Sequence, residues 1–60
     1  MNGYRVWTIN MNGTVTCMTD WQSRTQCQRF IVARWGHWPP FAHISKCKDA
    51  DLFVLRHRTV

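Results

Sequence analysis

A chain of 60 residues is a single domain, and a domain this short buries only about 60% of the surface its unfolded form exposes. With 45% apolar and 18% charged residues it is too apolar and too aromatic for intrinsic disorder. Eight Lys/Arg against three Asp/Glu leave a net charge of +5, which favours nucleic acid, an anionic surface or an acidic protein as partner.

Taken from the N-terminus, residues 4–10 and 14–18 are rich in β-branched and aromatic side chains and read as two strands. Asn12-Gly13 between them is the strongest short hairpin signal, and a type I′ turn there sets a register. That register pairs Met11 with Thr14, Ile9 with Thr16 and Trp7 with Met18. Tyr4, Val6, Val15 and Cys17 then share the opposite face, so both faces of the hairpin are apolar.

Thr19-Asp20-Trp21-Gln22 has the form of a capping box, and Asp20 puts a negative charge in a helical first turn. Trp21, Thr25, Gln28, Ile31, Val32 and Trp35 fall near one face at about 100° per residue. Gly36 and then Pro39-Pro40 supply the stop. A helix is expected over residues 20–35. Residues 29–35 also fit a strand, because short apolar runs are ambiguous by periodicity. Residues 41–47 fit a third strand, 48–51 a polar turn, and 52–58 a fourth strand. The expected fold is α+β in ββαββ order, a twisted antiparallel sheet with one helix across one face; the alternative is a small all-β barrel.

No apolar run approaches the roughly 20 residues that cross a bilayer. The start, Met1-Asn2-Gly3-Tyr4-Arg5, has no charged n-region followed by an apolar h-region, and Gly3 is not placed for myristoylation. A cytoplasmic location is expected. Cys17, Cys27 and Cys47 make an odd count, which suits free thiols in a reducing compartment better than a disulfide scaffold.

Catalysis finds little support. Asp20 is explained by a helix start and Asp49 and Asp51 by a turn. No Ser/His/acid arrangement stands out, and nothing in the spacing selects a Cys/His pair such as Cys17 with His43. Cys17, Cys27, His37, His43 and Cys47 are suitable zinc ligands, but Cys17 and Cys27 form no close pair. No Gly-rich phosphate cradle is present. The expectation is a non-enzymatic protein without metal or cofactor.

The remaining signals are cationic and aromatic. Arg24, Arg29 and Arg34, five apart, spread around a helix and read as solvated surface. Lys46 and Lys48 flank the third turn, and Arg56 and Arg58 share a face if their segment is a strand. Trp7 lies mid-strand on a two-faced hairpin, and Trp38 sits between Gly36 and Pro39 in a stiff loop. The binding residues expected are therefore Trp7, Trp38, Arg56, Arg58, Lys46 and Lys48. With them the chain would be a small basic module engaging nucleic acid or a nucleoprotein complex, phosphates on Arg/Lys and bases on Trp. The alternative is a modulator that docks on a larger host protein through an aromatic sheet face or an edge strand, or that forms a homodimer through the same face. In size and economy the chain is similar to small accessory proteins of phages and mobile elements.

Overall fold

The computed structural model describes residues 3–58, with the side chains of His57 and Arg58 outside that description. The elements run β1 (Arg5–Ile9), β2 (Val15–Cys17), α1 (Arg24–Trp35), β3 (Ala42–Ser45) and α2 (Ala50–Arg58). The strands form an open antiparallel sheet in the order β2-β1-β3, so β1 is central and both neighbours are edges. The fold is a small α+β domain with a helix on each face of the sheet. The order is thus ββαβα rather than ββαββ.

The last element is the main correction: residues 52–58 are helical, not a fourth strand. Asp49 decides this. Its carboxylate accepts the Leu52 N–H at 2.9 Å, and its carbonyl accepts the Phe53 N–H at 3.1 Å. That is the N-cap arrangement, and Asp51 adds a negative charge in the first turn. The apolar run 52–55 is too short for its composition to choose between helix and strand, and the cap chooses. The all-β alternative fails as well, since residues 29–35 are the second half of α1.

α1 starts later than expected. Ser23 is its N-cap, and a complete capping box joins the Ser23 hydroxyl to the Gln26 N–H and the Gln26 side chain to the Ser23 N–H. Thr19 has another partner: its hydroxyl oxygen accepts the Val6 N–H at 3.0 Å. Gln22 is held by a two-way backbone bridge to Tyr4. The segment expected to open the helix therefore lies beside β1. Gly36 closes α1 at φ +77°, its N–H reaching the Val32 carbonyl at 2.7 Å.

The hairpin turns at Asn12-Gly13 as expected, but not as type I′. Gly13 has φ +88°, whereas Asn12 stays at negative φ. The Gly13 N–H donates to the Asn10 carbonyl and the Asn10 N–H to the Thr14 carbonyl. The loop is a tight turn followed by a left-handed glycine, the three-residue hairpin form. The register moves by one, pairing Trp7 with Cys17, Thr8 with Thr16 and Ile9 with Val15. A one-residue slip exchanges the faces of β2. Val15 therefore joins Trp7, and Met18 packs with Val6, opposite to the expected sharing.

Each face has its own core. Toward α1, Val6, Cys27, Ile31 and Ala42 are buried together. Toward α2, Trp7, Cys47 and Phe53 are buried, with Val15 against them. Full burial of a side chain such as Val6, Ile31 or Phe53 contributes about 1.5–3 kcal/mol. On the second apolar face of the hairpin, Trp7 and Val15 thus lie under α2, whereas Ile9 and Met11 toward the tip are exposed.

Candidate functional site

The backbone of β3 builds the most distinctive surface. Ile9 N–H donates to the Phe41 carbonyl at 3.0 Å, which fixes the alternation along the pair. Residues 41, 43 and 45 turn their backbone groups to β1, while Ala42 and Ile44 turn theirs outward. The loop before β3 covers the first of these. Ala42 N–H donates to the Pro39 carbonyl at 3.1 Å, and the Trp38 indole N–H donates to the Ala42 carbonyl at 2.8 Å. Beyond that point the edge is open: among the described residues nothing bonds the outward pair of Ile44.

Trp38 is held in place by that indole bond and by Pro39-Pro40, yet 44% of it is exposed. A groove of about 390 Å³ runs beside it, lined by Arg24, Trp38, Pro40, His43 and Ile44 among others. Arg24 reaches it from the first turn of α1. His43 comes from the other side of the strand, where its ring lies 5.8 Å from Phe53. Lys46 continues the same edge, its ammonium 5.2 Å over the Tyr4 ring. Tyr4 in turn bridges Gln22, just before α1. Cations thus stand at one end of the groove and a pinned indole at the other.

No carboxylate lines the groove. Asp20 lies 3.6 Å from Arg5, Asp49 caps α2, and Asp51 is in the first turn of α2. A surface with its acids elsewhere on a chain of net charge +5 presents a positive field to anions.

The expected binding residues separate in space. Trp38 stands beside the start of β3 and Lys46 just past its end, over Tyr4. Lys48 is exposed just before α2, and its carbonyl accepts from Arg5 Nη1 at 2.8 Å. Arg56 is exposed on α2, and the side chain of Arg58 lies outside the described residues. Because the segment is helical, positions 56 and 58 are about 200° apart around the axis and do not share a face. Trp7 is 2% exposed and stacks on Phe53 at 5.1 Å with the rings 16° apart. It is a core residue and cannot stack on a base. Arg24 and His43 were not singled out as binders. Their membership depends on how α1 and the 36–41 loop meet at the edge, which no local pattern encodes.

Arg5 does structural work instead. Its guanidinium sits 4.1 Å over Trp21, near Asp20, and donates to Lys48. It ties the segment before α1 to the segment before α2. Among the described residues no three His, Cys, Asp or Glu side chains are grouped to hold a metal ion, and no helix is long and apolar enough to cross a membrane. Comparison with known protein families, curated proteins and solved structures found no match.

Proposed function

We propose that this chain is a non-enzymatic basic module that binds single-stranded nucleic acid, free or within a nucleoprotein complex, along the open edge of β3. The observation that carries the reading is Trp38: an exposed indole, fixed by its bond to Ala42, beside a groove lined by Arg24, with Lys46 one residue beyond the end of β3. A fixed ring loses little freedom when a base stacks on it, and the flanking cations neutralise phosphates. Stacking needs an unpaired base face. A duplex offers only base edges and phosphates, so the preference is for a single strand.

The test is fluorescence titration with a labelled 12-nucleotide single strand and with the matching duplex, at several salt concentrations. Tighter binding of the single strand is expected, with quenching of Trp38 and a steep loss of affinity with salt. Trp38→Ala should weaken binding by about 1–3 kcal/mol. Arg24→Gln with Lys46→Gln should flatten the salt slope by roughly two units. Equal binding by the parent and both variants would remove this edge as the site.

The open backbone pair of Ile44 favours a second reading, addition of a strand from a larger protein. Capture of a partner from lysate that survives both nuclease and high salt would select it over the first.

A further inference from the structure

A second surface lies at the other end of α1 and owes nothing to the groove at β3. The hairpin tip and the segment entering β3 leave a hollow of about 390 Å³, lined by Ile9, Met11, Met18, Trp35 and Phe41 among others. Much of its apolar surface faces water: Met11 is wholly exposed, and Ile9 and Phe41 are each exposed by more than a third. The walls are firm, since Trp35 meets Phe41 edge to face at 5.5 Å. Val32, half exposed and one turn before Trp35, extends the strip along α1.

The charges around the strip are of one sign. The Arg34 guanidinium lies 5.8 Å over the Trp35 ring, and Arg29 lines the shallow depression that includes Val32. No acidic residue lines either concavity. An apolar strip bordered by cations complements a segment that carries apolar side chains and carboxylates together. It repels a second copy of a chain whose net charge is +5. Methionine on the wall adapts to the shape of what it meets.

We infer that the hollow between the hairpin tip and the C-terminal half of α1 docks an acidic amphipathic segment of a partner protein. An aromatic or Leu side chain of that segment enters between Met11, Trp35 and Phe41, and its carboxylates face Arg29 and Arg34. The chain then carries separate surfaces for nucleic acid and for protein, which is the arrangement of an adaptor.

The probe is a synthetic 16-residue amphipathic helix with Leu and Phe on one face and Glu elsewhere, compared with the same peptide carrying Lys for Glu. Methyl NMR of the full chain reports the Met11, Met18 and Ile9 resonances directly. The acidic peptide should shift these three and bind at least about tenfold more tightly than the lysine peptide. Met11→Glu should weaken it by about thirtyfold or more, a loss of hot-spot size. That variant keeps its fold because Met11 touches no core, and Trp38→Ala should leave the peptide affinity unchanged. Several results would overturn the assignment: no binding at millimolar peptide, equal binding of both peptides, or shifts confined to other surfaces. So would dimerisation of the chain alone that moves the same methyls, or displacement of the peptide by the single-stranded oligonucleotide.

Discussion

The two sides of the sheet are sealed in different ways. On the α1 side burial is spread over Val6, Cys27, Ile31 and Ala42, ringed by half-buried Tyr4, Met18, Phe30, Trp35 and Ile44. The helix there has 12 residues and is capped at both ends. On the α2 side one stack, Trp7 on Phe53, makes most of the seal. That helix has nine residues, too few to be stable without docking. The Trp7 indole N–H is also buried there without an acceptor among the described residues, a cost of about 1–3 kcal/mol. A core built from many modest contacts degrades gradually, while one built on a single pair is lost at a stroke. α2 is therefore the element that opens first, and α1 with the sheet is the part that holds.

Phe53→Ala gives the largest expected effect. Removing a buried phenyl ring costs about 3–5 kcal/mol. A domain of this size has only about 3–9 kcal/mol in total. Hydrogen exchange should show the α2 amides losing protection while α1 and β1 amides keep some, and Trp7 emission should move to the red. Ile31→Ala removes a comparable amount from the α1 side, and its loss should appear in every element together. If both variants lower protection uniformly, the two sides form one cooperative unit and the contrast fails.

The caps sharpen the same contrast at smaller scale. Ser23→Ala removes the hydroxyl of the α1 capping box, and Asp49→Ala removes the acceptor at the start of α2. Each should cost about 0.5–2 kcal/mol of helix stability. The Ser23 change should lower the global midpoint in urea. The Asp49 change should leave that midpoint nearly alone and speed exchange in α2, because α2 opens below the global transition. Equal midpoints for the two variants would count against the ordering.

The same contrast bears on what could be read from the sequence. The body of α1 was legible because its apolar spacing, Gly36 and the two prolines agree. Its start was not, because Thr19 bonds to Val6 of β1 and Gln22 to Tyr4 just before it, a tertiary choice. The hairpin was legible from Asn12-Gly13. Its register was not, because the Asn12 side chain accepts from both the N–H and the hydroxyl of Thr14, which suits the longer loop. α2 was missed although it carries a start signal of its own: Asp49 as an N-cap acid, then Asp51 in the first turn. Four apolar residues in a row, β-branched Val54 among them, outweighed it. At the site, Trp38 was visible as a stiffly presented aromatic, and Lys46 as a cation beside the third turn. Arg24 was not, because the groove exists only where the 36–41 loop lies near the start of α1. Trp7, the more prominent sequence candidate, turned out to be the residue that seals the α2 side.

The smallest expected effect, absent at neutral pH, tests how dry the broader core is. Cys27 is fully buried on the α1 side, and that burial pushes its thiol above its ordinary value near 9.0; a side-chain hydrogen bond with Gln22 pulls the other way and does not cancel it. A raised thiol means that the folded chain keeps a proton the unfolded chain releases. Below about pH 9 both states hold the proton and this group contributes no pH dependence. Above it the unfolded state is favoured, and stability falls by up to about 1.4 kcal/mol per pH unit until the folded thiol also ionises. Urea melts of the parent and of Cys27→Ala between pH 7 and 10 isolate this contribution, since the two chains differ only at residue 27. The variant should be less stable at pH 7 because of the cavity it leaves, yet lose less on going to pH 10. Alkylation gives an independent view: Cys17, exposed on an edge strand, should react in the folded chain, and Cys27 only through unfolding. Parallel pH curves for the two chains would mean that water reaches the thiol, and the α1 side would then be no better sealed than the side that rests on Phe53.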